Sequence, residues 1–197
     1  MSDSTRDARP ARERIVEAAE ALMLAQGYPA TTVDEICDAA GASKGSFYHA
    51  FGSKEELGLA VLQAFHDRNQ QIVERGVPLE ADPVERAVAL LDHLLASARE
   101  MWGAGCLLGS LALDLAETNP EIARAVSDRF RETAAMLAGG FAPLAADAAS
   151  AQALAERFIV VVEGALVLAR AHDDWSYVER ALDQFRTDTL RTAGLAR

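Results

Sequence analysis

The chain has 197 residues, half of them hydrophobic, and its 30 acidic residues outnumber 19 Lys and Arg to give a net charge of -11. It contains no run of eighteen apolar residues and no apolar N-terminal leader, so we expect neither a membrane span nor export, and a cytoplasmic location. Two widely spaced cysteines argue against a disulfide framework or a zinc site, and scarce proline without strand-like alternation predicts an all-α fold.

Three helix-start signals lie close together in the first third of the chain. Thr32-x-x-Glu35 and Ser53-x-x-Glu56 are capping-box patterns, which place a carboxylate at the positive end of a helix. The helix that begins at Ser43 has a serine where the glutamate would stand, so its N-terminal dipole is uncompensated within its own sequence. Such a helix start favours a phosphate group.

The charge pattern around this third helix points the same way. Residues 39–54 contain no acidic residue, and they contain both lysines of the chain, Lys44 and Lys54. Tyr48 and His49 follow one turn after Lys44. This composition predicts a recognition helix that enters a DNA groove.

A tight turn joins the second and third helices. Gly41 can take the left-handed conformation that ends a helix, and only Ala42 then precedes Ser43. Helices this close must cross at a large angle, which predicts a helix-turn-helix motif at about residues 32–51. Phe47 and Phe51 share one face of the third helix and should pack on the first helix. Their expected partners are Ile15, Ala19 and Leu22.

The motif residues occur in the order Gly27-Tyr28, Thr31-Thr32-Val33-x-x-Ile36, Ala40-Gly41, Ser43-Lys44-Gly45-Ser46-Phe47-Tyr48, Phe51 and Ser53-Lys54-Glu55-x-Leu57. This order closely resembles the N-terminal domain of the tetracycline-repressor (TetR) family of transcriptional regulators. The resemblance implies a DNA-binding domain at residues 11–70, joined to a helical ligand-binding and dimerisation domain at residues 76–197, with about nine helices in all. Ala50 departs from the family pattern, in which many members carry His or Tyr.

The resemblance also implies the DNA contacts and the mode of regulation. A homodimer would bind a palindromic double-stranded operator, usually as a repressor. The implied DNA-binding positions are Thr32, Ser43, Lys44, Gly45, Ser46, Tyr48, His49 and Lys54. Simpler roles remain open for some of them, because Ser43 is also a helix cap and Tyr48 is also a packing residue.

Neither half of this acidic chain is basic overall, so sequence-independent affinity for DNA should be weak. Binding would depend on a local patch formed by the recognition helix, Lys54 and an arginine-bearing N-terminal arm, doubled by dimerisation. The arm contains Arg6, Arg9, Arg12 and Arg14. We therefore expect operator binding to depend steeply on salt.

The rest of the chain is divided by further start and stop signals. A fourth helix should run from Lys54 to about Arg75, and Asp82-Pro83 should begin a fifth that ends near Met101. A sixth is expected from about Gly105 to Ala116. Asn119-Pro120 should begin a seventh that ends near Gly139-Gly140, and two long helices should follow at about 149–172 and 176–193. The last has the capping-box pattern Ser176-x-x-Glu179.

The segment Phe158 to Ala169 is apolar almost all round, which exceeds the single buried stripe that a helix in a small body needs. Gly164 and Ala165 would let another helix approach closely. The segment therefore predicts a homodimer through the two C-terminal helices, as the resemblance also implies. The alternative is the central core helix of a monomer.

The body offers aromatic and apolar side chains with few polar partners, which suits a small apolar or aromatic inducer. The candidate ligand-binding residues are Phe65, Met101, Trp102, Cys106, Phe130 and Glu163. Cys106 lies near the first turn of the sixth helix, where the dipole favours a thiolate. Its Gly-Cys-Leu setting resembles family members that sense electrophiles through a cysteine. The alternative is a buried residue that packs against the fourth helix, and Cys37 has a similar role in the second helix.

Nothing in the sequence favours an enzyme. Its four histidines show no metal-ligand spacing, and no nucleophile set or phosphate-binding glycine loop occurs. We expect no metal and no cofactor. The remaining alternative to a regulator is an all-α dimeric interaction protein that does not bind DNA, and an operator-binding measurement separates the two.

Overall fold

The structure is a computed structural model that describes residues 9–78 and 81–195, and these residues form α-helices and one short 3-10 helix without any strand. The N-terminal unit comprises α1 to α3 and the first half of α4, and the body comprises α5 to α10. The helices are α1 Ala11–Gln26, α2 Val33–Ala40, α3 Lys44–Ala50, α4 Lys54–Arg75, α5 Pro83–Ala96, α6 Ala98–Trp102, α7 Leu107–Leu115, α8 Pro120–Phe141, α9 Ala148–His172 and α10 Ser176–Thr192. The 3-10 helix is Ala142–Leu144. The all-α fold is confirmed.

The N-terminal unit is assembled around two phenylalanines. Phe47 and Phe51 are fully buried, and they share one core with Ile15 and Ala19 of α1, whereas Leu22 is only partly buried. Gly41 has φ +57°, the left-handed conformation expected at the end of α2. Burial of two aromatic rings fixes α3 on α1 with its other face outward.

The body has its own core between α5, α8, α9 and α10, where Phe141, Phe158 and Phe185 form a cluster of rings. The end of α4 reaches this core through Ile72. The His93 ring of α5 lies against Gly76, and its Nε2 lies 2.6 Å from the Ile72 carbonyl, one of the free acceptors at the end of α4.

The boundary between the two hydrophobic cores does not coincide with the end of α4. Leu107, Leu111 and Leu115 of α7 and Ile122 of α8 are buried in the same apolar cluster as α1 to α4. Helices α7 and α8 of the body therefore pack directly against the N-terminal unit. A movement of these helices would be transmitted to the N-terminal unit through this packing.

One expected helix is divided in the structure. The helix that begins at Pro83 breaks at Ser97, whose hydroxyl lies 3.3 Å from His93 Nε2, and α6 follows it. A serine that bonds locally competes with helical geometry. The end of α8 at Phe141 lies next to Gly139-Gly140, as expected, and Leu90 packs so closely on Gly140 that a Cβ there would lie 2.2 Å from it.

Two capping-box expectations also need correction. At α10, Asp174 provides the cap, since its carboxylate accepts hydrogen bonds from the Ser176 backbone N–H and hydroxyl. At α4, the Ser53 hydroxyl caps Glu56 as expected, but the Glu56 carboxylate accepts from the Gly52 N–H. The box at Thr32 and Glu35 is present in full.

None of the helices in the described ranges, 9–78 and 81–195, combines the length and apolar character needed to cross a lipid bilayer. The same ranges contain no group of three His, Cys, Asp or Glu side chains placed to hold a metal ion.

Candidate DNA-binding face and ligand cavity

The outer face of α3 is exposed. Tyr48 is 60% exposed, and Lys44, Gly45 and His49 are exposed beside it. The Ser43 hydroxyl caps the helix by accepting a hydrogen bond from the Ser46 N–H, and it lies 2.9 Å from the Ser46 hydroxyl. The face is small, polar and aromatic, as groove recognition requires.

An acidic side chain from another helix neutralises the one lysine on this face. Lys44 Nζ lies 2.8 Å from Asp34 Oδ1 of α2, and both side chains are well exposed. The hydrogen bond and charge of Asp34 raise the pKa of Lys44. Residues 39–54 contain no acidic residue, but the folded protein places the Asp34 carboxylate beside Lys44. A phosphate group at Lys44 would have to compete with Asp34.

Lys54 holds a turn together. Its Nζ donates a hydrogen bond of 2.6 Å to the Tyr28 carbonyl and lies 4.2 Å from the centre of the Tyr28 ring. Partial burial lowers the pKa of Lys54. Thr32 is likewise occupied by its capping box, whose hydrogen bonds lower the pKa of Glu35. Both residues lie at the edge of the face rather than on it.

The arginines of the N-terminal arm also contact other residues of the chain. Arg14 donates to the Ala40 carbonyl at the end of α2, and the Arg12 guanidinium lies 5.0 Å from the centre of the Phe51 ring. Arg9 forms an ion pair of 2.6 Å with Glu17. Arg6 lies outside the described residues.

All six candidate ligand residues line one cavity of about 80 Å³ between α4, α6, α7, α8 and α9. Phe65, Met101, Trp102, Cys106, Phe130 and Glu163 thus come together from five segments of the chain. Sequence reasoning missed several polar residues of the same wall. These are His66, Asn69, Gln70 and Thr133, which occupy ordinary helical positions that no sequence signal distinguishes.

A larger cleft of about 860 Å³ adjoins the cavity, and Trp102, Cys106, Phe130 and Glu163 line both spaces. The cleft is bounded by the segment between α6 and α7 and by the C-terminal half of α9. These four residues therefore form the wall between the inner cavity and the cleft.

Cys106 is not the thiolate that its position near a helix start suggests. Burial raises the pKa of the Cys106 thiol, and the neighbouring Glu163 carboxyl raises it further. Burial also raises the pKa of Glu163. Glu163 lies so close to α7 that a Cβ on Gly109 would meet it at 2.2 Å. The helix dipole is thus outweighed by desolvation and an acidic neighbour, and this wall favours neutral groups.

Four side chains of the body form hydrogen bonds with the N-terminal unit in the described part of the chain. The Arg170 guanidinium of α9 donates to the Leu24 and Ala25 carbonyls at the end of α1, at 2.9 and 3.0 Å. The Asp114 carboxylate of α7 accepts from the Tyr28 N–H at 2.9 Å. The amide of Asn119, the cap of α8, donates to Glu55, and Arg129 of α8 donates to Gln63.

Comparison with known proteins matches both halves of the chain. The family described as "Bacterial regulatory proteins, tetR family" matches residues 15–61, and "Transcriptional regulator LmrA/YxaF-like, C-terminal domain" matches residues 83–184, more than half of the chain. This chain belongs to the TetR family. It is accordingly a DNA-binding transcriptional regulator and not an enzyme.

Individual TetR-family relatives align over most of the chain. Transcriptional regulator AcuR of Cereibacter sphaeroides is 30% identical over 173 residues, which are 83% of this chain and 78% of the relative. An HTH-type regulator in the lacX 3' region of Lactococcus lactis is 25% identical over 182 residues, 91% of this chain and 93% of the relative. The crystal structure of a TetR regulator from Legionella pneumophila is 27% identical, with a TM-score of 0.78 over 91% of this chain and 97% of that one.

The Lys44–Asp34 pair gives a first test of the DNA-binding face. Asp34→Asn should strengthen binding to all DNA sequences about twofold to fivefold and steepen the salt dependence, because Lys44 no longer exchanges one partner for another. Fluorescence anisotropy with specific and random duplexes at several salt concentrations measures both effects. Asp38→Asn removes the same charge from the same helix. Equal effects of the two variants would show that only net charge matters.

Glu163 gives a test of the neutral wall. Because its pKa is raised in the folded state, the folded protein holds more protons than the unfolded chain as pH rises above about 4.5. The free energy of unfolding should therefore fall with rising pH in this window, and Glu163→Gln should remove that part of the decrease. Denaturant unfolding at several pH values measures it, with Glu156→Gln on the exposed side of α9 as the control. An unchanged pH profile in Glu163→Gln would contradict a raised pKa.

Proposed function

We propose that this TetR-family protein is a ligand-responsive repressor that binds a palindromic operator as a homodimer and is released by a small apolar molecule. The supporting observation is the position of the cavity, whose lining helices α4, α7 and α9 also contact α1 or continue into the N-terminal unit. A ligand that changes their packing changes the position of α3.

The two-fold partner is proposed to cover the outer face of α9. Val160 and Val167 are 70% and 59% exposed, and Gly164 lies between them on the same stripe with open space at its Cβ position. An exposed apolar stripe with a glycine at its centre suits the close approach of a second helix. Since α10 packs along α9, two copies would form a four-helix bundle.

The proposed dimer would carry two copies of the α3 face. A two-fold axis relates them, so half-sites of a palindrome would lie about 34 Å apart, one turn of DNA. Lys44 would contact phosphate, whereas Tyr48, His49 and the backbone at Gly45 would contact the groove. Ser43, Ser46, Thr32 and Lys54 would position these groups and add backbone contacts.

The stripe makes the dimer testable. Val160→Glu should give a monomer at micromolar concentration, since a carboxylate would be buried without a partner in an apolar interface. Val160→Ala keeps the stripe apolar and should stay dimeric. Sedimentation velocity gives both masses, and a dimeric Val160→Glu protein would place the interface elsewhere.

Release from DNA is the decisive test of the function. Phenol is a suitable test ligand, because the cavity is apolar and has room for about one ring. It should lower the affinity for a palindrome from the protein's own upstream region about fivefold or more, within the usual range of allosteric coupling. Fluorescence anisotropy measures it, and operator affinity that is unaffected by bound phenol would contradict release.

Arg170 tests the route from cavity to DNA in the same assay. Arg170→Met keeps the length of the side chain but removes its hydrogen bonds to the end of α1, and it should reduce the effect of phenol on operator affinity about threefold. Arg99→Met is the control, because Arg99 contacts Trp175 and Glu179 within the body. Full release by phenol in Arg170→Met would remove this contact from the mechanism.

A further inference from the structure

The cavity contains one polar atom that the protein does not satisfy. Asn69 of α4 lines the cavity, and its Oδ1 is fully buried without a hydrogen-bond partner among the residues that the structure describes. A buried acceptor without a donor costs stability. Most buried polar atoms in folded proteins have a partner, so this one needs an explanation.

The other polar side chains of α4 in this wall lie beside acidic residues. The Gln70 amide donates to Glu74 at 2.9 Å, and His66 Nε2 lies 3.9 Å from Glu132. Across the cavity, the Cys106 thiol and the Glu163 carboxyl lie against each other. Asn69 Oδ1 is therefore the buried side-chain acceptor in this wall that lacks a partner among the described residues, and a ligand with a hydrogen-bond donor would supply one.

We infer that the cavity takes a small, uncharged, one-ring molecule with a hydroxyl group, which forms a hydrogen bond with Asn69. This inference rests on the proposed function, because it names the ligand class of the same cavity. A hydroxyl group fits because it donates to an amide oxygen and also accepts from an amide nitrogen, so it complements Asn69 in either orientation of the amide.

The volume of the cavity and the chemistry of its wall restrict the ligand class further. A cavity of about 80 Å³ is well below the ~300 Å³ at which pockets for drug-sized ligands begin. Phe65, Phe130 and Phe158 in the wall provide aromatic contact for one ring. A carboxylate on the ligand would meet Glu163, whose burial already disfavours negative charge. A neutral phenol satisfies all of these constraints.

Phenol and toluene provide a matched pair, since they differ only in a hydroxyl group and a methyl group of similar size. Calorimetric titration of the full-length protein should show phenol binding about threefold to tenfold more tightly than toluene. Benzoate, whose ring carries a carboxylate, should bind more weakly than phenol, because burial at Glu163 already disfavours negative charge. Equal binding of phenol and toluene, no binding of phenol, or tighter binding of benzoate would overturn the inference.

Asn69→Leu should abolish the preference for phenol over toluene, and Asn69→Ala serves as a second variant with the same expectation. Gln71→Leu makes a comparable change on the exposed side of α4, outside the cavity wall, and should keep the preference. Asn69→Leu should also raise Tm by a few degrees, because it removes an unpaired buried acceptor. A phenol preference that persists in both Asn69 variants would overturn the inference. Phenol that binds with this preference but leaves the operator bound would support the ligand class and contradict release.

Discussion

Helix α4 contributes residues to the cores of both the N-terminal unit and the body, and the rest of the structure depends on this constraint. Phe65 is buried in the core of the N-terminal unit and also lines the cavity, Asn69 lines the cavity one turn later, and Ile72 is buried in the body. At 1.5 Å per residue, the 22 residues of α4 span about 33 Å as one rigid element. Occupancy of the cavity and the position of the N-terminal unit therefore depend on the same helix.

The candidate DNA-binding face has little unpaired positive charge. Its exposed lysine is held by Asp34, Lys54 is held by a carbonyl, and the chain as a whole is strongly acidic. In the proposed complex, each phosphate contact of these lysines would require the exchange of an internal partner, so affinity for arbitrary DNA would be low. Discrimination would then rest on the proposed groove contacts of Tyr48 and His49.

Local signals made much of the fold predictable. The caps at Thr32, Asp82 and Asn119 lie where the sequence places them, because a helix start depends on residues within one turn. The break at Ser97 was not predicted, because a serine within a helical pattern does not by itself mark a helix end. The charge around Lys44 was misjudged because another helix decides it, since Asp34 reaches Lys44 only after α2 and α3 have crossed.

The cavity shows where sequence reasoning about a site reaches its limit. Its aromatic members were found because apolar residues in a helical body must converge somewhere, but Asn69 has no distinguishing neighbours in the sequence. Only the folded chain shows that it is buried without a partner, opposite a buried Glu163 and beside empty space. A buried acceptor without a partner and an empty space both lower stability. Their coincidence in one wall, beside the helix that follows α3, supports the proposed ligand site.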